Sequence, residues 1–171
     1  MTAIRLLFSM FLILCLNPSY AQEIKQEQLT ERERLYWDAG NKKIRARGAY
    51  YQDEIVGVTN EKHGKWWFYD AKGNLTEEQY FYRGRIHGKQ LSFHPNKKIA
   101  SESHFVFNVA DSIFREWNAD GQLVVEGLYE MGSPNGVWNY FYNDGAIKSR
   151  KKISNDSYRW RSRFWQNRGI F

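Results

Sequence analysis

Three sets of residues have the types and spacing to do chemistry. His63-Gly64-Lys65 and His87-Gly88-Lys89 place two imidazoles 24 residues apart, and Asp111 follows one interval later. Two imidazoles and a carboxylate are a zinc ligand set if the fold brings them to one point and a second partner orients each ring. Glu78, Glu102 and Glu126 share the same interval. Paired carboxylates serve as glycosidic acid and base where an apolar pocket raises one pKa. The third set is Arg159, Trp160, Arg161, Arg163, Phe164, Trp165 and Arg168. As a strand, this segment separates Tyr158, Trp160 and Phe164 from Arg159, Arg161 and Arg163, giving an aromatic face and a cationic face suited to an anionic surface.

Each set also has a plainer reading. Polar residues ahead of a turn glycine are ordinary, so no metal is assigned to His63 and His87. Glutamates on neighbouring hairpins of an open sheet have no pocket to raise a pKa, and they pair with nearby Lys and Arg. No catalytic residue and no cofactor are therefore assigned. The C-terminal segment could instead be a last strand that caps the sheet, its charges discouraging edge pairing.

The shared interval is the organising feature of the chain. Gly64, Gly88, Ser112 and Gly136 recur every 24 residues, followed by the column Trp66, Gln90, Phe114 and Trp138. Tyr69, Phe93, Trp117 and Phe141 hold the same phase, as do Gly73, Lys97, Gly121 and Gly145. Leu75, Ile99, Leu123 and Ile147 follow, then Phe81, Phe105, Tyr129 and Ile153. A fixed period of this length marks stacked supersecondary units. Lys65 to Tyr69 is a strand-length aromatic run, Asp70-Ala71-Lys72-Gly73 is a turn with glycine where a left-handed residue is needed, and Leu75 to Phe81 resumes as a strand. The predicted fold is all-β: an elongated antiparallel meander of hairpins in a single twisted sheet. Its expected core is the Leu75 column together with the Phe81 column. Aromatic residues are 17% of the chain, and large rings can cover one another where no second layer exists.

The array is expected over 35–153, with units near 36–50, 64–86, 87–110, 111–134 and 135–153. Tyr50 to Gly64 spans 14 residues where the equivalent step from Phe105 to Ser112 spans 7. An insertion is therefore placed at 51–62, either a functional loop or a longer hairpin. Residues 22–34 form a charged leader whose Thr30 and Glu33 match a helix capping box, which leaves a turn or two of helix and a solvated segment equally open. Residues 1–21 read as a secretory signal: Arg5, an apolar run from Leu6 to Leu16, and Ser19-Tyr20-Ala21 as the cleavage site. Export is the expectation, to a periplasm, a cell surface or the medium. Cys15, the one cysteine, would leave with the signal.

The formal net charge is +6, and its distribution matters more than its size. Residues 148–171 carry eight basic side chains against Asp156, whereas 22–147 carry 16 basic and 18 acidic ones. The positive excess belongs to one end. Export makes nucleic acid an unsuitable partner, and anionic lipid or an anionic envelope polymer a suitable one.

Gly64-Lys65-Trp66-Trp67-Phe68-Tyr69, Gly73-Asn74-Leu75, Tyr82-Arg83-Gly84 and Gly136-Val137-Trp138-Asn139-Tyr140-Phe141-Tyr142 with Gly145 resemble the MORN-repeat variant of bacterial YwqK-family antitoxin-like proteins. Gln90, Lys97 and Ser112 depart from the pattern, most of all in the unit 87–110. The resemblance implies a β-hairpin scaffold for protein or membrane association, with no catalytic residues. An antitoxin role would be cytoplasmic, which an export signal contradicts.

Overall fold

The computed structural model describes residues 29, 30 and 32–154. The predicted signal, most of the leader and the C-terminal set Arg159, Trp160, Arg161, Arg163, Phe164, Trp165 and Arg168 lie outside the described residues. Among the described residues eleven strands form one sheet: β1 (Glu33–Tyr36), β2 (Ile44–Asp53), β3 (Gly57–Tyr69), β4 (Leu75–Tyr82), β5 (Arg85–Phe93), β6 (Ile99–Val106), β7 (Val109–Ala110), β8 (Ser112–Trp117), β9 (Leu123–Glu130), β10 (Ser133–Phe141) and β11 (Ile147–Ile153). Each strand pairs antiparallel with its sequence neighbour, and β7 is a short start to the strand that continues as β8. The single antiparallel meander is the predicted architecture.

The turns alternate between two rims. On the first rim, the amides of Asp70, His94, Asn118 and Tyr142 donate to the carbonyls of Asn74, Lys98, Gln122 and Ala146. The left-handed residue of each turn is Gly73, Lys97, Gly121 or Gly145. On the second rim, two-residue loops join paired strands at Arg83-Gly84, Phe107-Asn108 and Met131-Gly132, and both residues of each loop have positive φ. Such loops match the right-handed twist of the strands they connect.

A third left-handed position lies inside the strands. Gly64, Gly88, Ser112 and Gly136 have φ of 70°, 97°, 70° and 71°. Each sits at a bulge: Arg47 pairs with Trp67 and Ala49 with His63, so the single residue Gly48 faces three residues, Gly64 to Trp66. Likewise Glu126 pairs with Asn139 and Leu128 with Asn135, leaving Gly127 opposite Gly136 to Trp138. The extra residues tip the indoles of Trp66 and Trp138 over those glycines. A Cβ on Gly48 or Gly127 would lie 2.3 Å from its indole.

Two aromatic clusters result. Trp66 is fully buried with Ala46 and Phe81, flanked by Leu35, Tyr50, Phe68 and Ile86. Its Nε1 donates to the Ala49 carbonyl at 2.8 Å. Trp138 stacks on Phe114 at 5.7 Å and meets the edge of Tyr129 at 5.3 Å. The Phe81 column thus contributes to the core as expected, with Tyr50 and Tyr129 making matching edge contacts to the two indoles. The Leu75 column does not. Tyr69 pairs with Leu75, Phe93 with Ile99, Trp117 with Leu123 and Phe141 with Ile147, each beside a first-rim turn. Among the described residues no second layer covers that rim, and Ile99 and Ile147 stay 38% and 51% exposed.

The leader also departs from expectation. Thr30 exchanges hydrogen bonds with the backbone of Tyr50, Leu29 bridges Tyr51, and Glu33 already lies in β1. Strand pairing takes the place of a capped helix. The insertion lengthens the β2–β3 hairpin, whose tip is closed by amides of Ile55 and Val56 donating to Asp53 Oδ1.

Ser112 holds a conformation for which its three equivalents use glycine. Left-handed backbone costs an L-residue roughly 1–2 kcal/mol, and glycine gives back roughly 0.5–1 kcal/mol in chain entropy. Ser112→Gly should therefore stabilise the fold by about 0.5–1 kcal/mol, seen as a higher Tm in thermal melts. A lower Tm would mean that the bond from Ser112 Oγ to Asp111 Oδ2, 3.0 Å long, outweighs the strain.

Candidate functional site

The imidazoles do not converge. His63 is fully buried, packed between Tyr51 at 5.2 Å and Tyr82 at 5.3 Å. His87 lies on the far side of Tyr82, 6.2 Å from it, and stacks on Phe107 at 4.6 Å. The Tyr82 ring stands between the two. His63 Nδ1 accepts the amide of Arg83 at 3.1 Å, and two units later Asp111 Oδ1 accepts the amide of Met131 at 3.4 Å. These two members of the column reach across the strand between and cap the first residue of a second-rim turn, whereas the buried Nδ1 of His87 has no hydrogen-bond partner among the described residues. Among the described residues, no three His, Cys, Asp or Glu side chains gather to hold a metal ion.

Arg83 lies over the ring of Tyr51 at 4.3 Å and also donates to its hydroxyl. Burial first, then the Arg83 charge, hold the His63 pKa below its ordinary value, with Glu61 acting the other way. The unfolded chain therefore binds this proton more readily than the folded one. The stability contributed by neutral His63 is fully present above its unfolded pKa of about 6.5 and is lost as pH falls through the lower folded value. His63→Asn places in this column the residue type of its equivalent, Asn135. The fall in Tm between about pH 7.5 and about pH 5 should be smaller in that variant than in the parent. Equal losses would remove His63 from the acid response.

The glutamates are engaged across the strands. Lys65 pairs with Glu78 at 2.5 Å, Lys89 with Glu102 at 3.5 Å and Arg115 with Glu126 at 3.7 Å. Glu78 also accepts the indole N–H of Trp67 at 3.0 Å. Equivalent residues of adjacent units are two strands apart, about 9.6 Å. Each carboxylate is thus matched to its own cation rather than to a second carboxylate. The column ends differently: Arg150 replaces the glutamate and donates to Asn139 Oδ1 at 3.0 Å.

Features with no sequence assignment also appear. Arg32, Arg47 and Lys65 surround Trp67 on the ion-paired face, at 5.3, 4.9 and 5.2 Å from its ring. On the other face, Lys62 Nζ lies 5.2–5.4 Å from the rings of Trp66, Phe68 and Phe81. Burial, then Arg45, lower its pKa. Its equivalents are Ile86, Ala110 and Pro134, so a cation replacing an apolar residue beside three aromatics was the available signal. The second rim exposes apolar tips, with Ile55 93% exposed and Val56, Val58, Phe107, Val109 and Met131 also open. The first rim is built of Asx turns, such as Asp70 accepting from Lys72 and Asn74. The arrangement offers faces and rims to a partner.

No curated protein matches the chain. A chain from the crystal structure of the GtfA/B complex bound to UDP and GlcNAc is similar at 14% identity and a TM-score of 0.26, over 74% of this chain and 23% of that one. A likeness of that size carries no argument. A family model described as MORN repeat variant matches residues 86–106, the hairpin of β5 and β6. The match falls on the unit whose Gln90 and Lys97 depart most from the repeat pattern. Over that hairpin the chain is similar to the MORN repeat variant, as the resemblance of its neighbouring units implied.

Proposed function

We propose that the chain is an exported, non-enzymatic repeat scaffold that attaches to anionic lipid through its basic C-terminal end while the array serves association with a protein. Export rests on Arg5, the apolar run Leu6 to Leu16 and Ser19-Tyr20-Ala21. One observation carries the attachment. In three successive units of the ion-paired face Lys65, Lys89 and Arg115 each meet a glutamate on the next strand, but at β11 the glutamate column supplies Arg150. Among the described residues, no carboxylate pairs with Lys148, Arg150, Lys151 or Lys152, all of them exposed. Arg159, Arg161, Arg163 and Arg168 follow in sequence.

Unpaired surface cations attract an anionic membrane within a Debye length of about 8 Å at physiological salt. Each basic residue near the surface contributes about 1 kcal/mol, and Trp160, Phe164 and Trp165 suit the headgroup level. Cosedimentation with phosphatidylglycerol and phosphatidylcholine vesicles at low and high salt tests this. Binding to the anionic vesicles that is lost at high salt is expected. Equal binding to both vesicle types, or salt-resistant binding, would contradict it, and capture by an anionic polysaccharide alone would move the partner from lipid to envelope polymer.

A further inference from the structure

One row of residues crosses the ion-paired face from strand to strand, each the Cα partner of the next. It starts with Arg34 on β1 and Arg47 on β2, then passes to Trp67 on β3 and Glu78 on β4. From Glu78 it runs on to Arg150 on β11, and over that length no two like charges stand on adjacent strands. At Arg34 and Arg47 they do. Partners in an antiparallel pair share a face with Cβ atoms about 4.5–5.5 Å apart, and like charges so placed disfavour pairing.

A third arginine joins these two. Arg32 lies 5.3 Å and Arg47 4.9 Å from the ring of Trp67, and Arg47 is also 5.7 Å from the ring of Tyr69. A guanidinium attracted to a ring face still has its planar fork of donors to offer. Among the described residues no carboxylate pairs with Arg32, Arg34 or Arg47, and all three are exposed. Glu78, the carboxylate of the row closest to them, is already engaged: it pairs with Lys65 at 2.5 Å and accepts the Trp67 indole N–H at 3.0 Å. The indole acts as a shelf. It gathers two long side chains beside one ring, so less rotamer freedom remains to be lost when a ligand arrives.

We propose that Arg32, Arg34 and Arg47 form a binding site for a phosphate group on a soluble ligand, with Trp67 as its floor. The donor set selects phosphate over carboxylate. A carboxylate has two oxygens and is filled by a single bidentate fork. A terminal phosphate carries about −1.5 to −2 charge at pH 7 and three strong acceptor oxygens, one for each arginine. Seated between Arg34 and Arg47, it turns the repulsion between β1 and β2 into two attractions. The site lies at the other end of the row from Arg150 and is independent of the attachment reading.

Thermal melts of the full chain in inorganic phosphate, acetate and chloride at equal ionic strength test the site. Phosphate should raise Tm more than the other two salts. Arg34→Gln removes the like-charge pair, so its Tm in chloride should match or exceed the parent's, yet the rise in phosphate should be lost. Arg47→Gln should weaken phosphate binding about tenfold or more by calorimetry. Lys72→Gln, which removes one charge from a first-rim turn, should keep the parent's affinity. Equal rises in all three salts, or phosphate affinity that survives both arginine substitutions, would overturn the proposal. A response to acetate as large as that to phosphate would overturn the choice of phosphate. Binding to phosphatidic acid vesicles that both substitutions abolish, with no response to inorganic phosphate, would overturn the soluble ligand and put the phosphate on a lipid.

Discussion

An indole can lie flat on a single β-sheet only where the strand beneath it carries no Cβ. The described residues form one sheet with no second layer, so they have few ways to remove apolar surface from water, and a large ring turned down onto its own sheet is one. Trp66 over Gly48 and Trp138 over Gly127 meet that condition. The left-handed bulge at Gly64 and Gly136 tips each ring into place, and Tyr50 or Tyr129 closes over its edge. Where the ring is missing, at Gln90, the face is covered only in part and the two aromatic clusters stand apart.

The rest of the molecule follows from this. With the Trp66 and Trp138 clusters on one face, the other carries cross-strand ion pairs around Trp67, and His63 and Asp111 cap two turns of the second rim. Half-buried pairs of this kind, open to solvent at the cation, contribute little each, roughly 0–1 kcal/mol. Their weight lies in charge matching from strand to strand, which stops at β11, where Arg150 stands in the glutamate column and bonds Asn139.

Much of the fold was legible because a backbone requirement recurs at a fixed interval. Gly73, Gly121 and Gly145 named the first-rim turns from their residue type, and the strand lengths gave the meander. The Leu75 column misled because apolar spacing reports only which way a side chain points. Whether that face is covered depends on a second layer, and the described residues supply none. The landing glycines at 48 and 127 were hidden by the seven-residue insertion, which takes the step from glycine to indole from 11 to 18. The His63 and His87 pair showed its spacing but not the Tyr82 ring between them, because Tyr82 lies 19 positions from His63 and the interval between two equivalent residues does not say which side chain of the intervening strand stands between them. The glutamate stripe was read correctly as ion-paired, since Lys65 and Lys89 recur with it.

The dependence of the sheet on indole–glycine contact is tested most directly by a double-mutant cycle on Gly48 and Trp66, measured by denaturant unfolding. Overpacking by Gly48→Ser should cost about 1–3 kcal/mol in the parent. Combined with Trp66→Phe, which reproduces the Ser103 and Phe114 pair, it should cost at least about 1 kcal/mol less than the two single changes added together. Strict additivity would show that the glycine is not there for the ring, and would contradict the account.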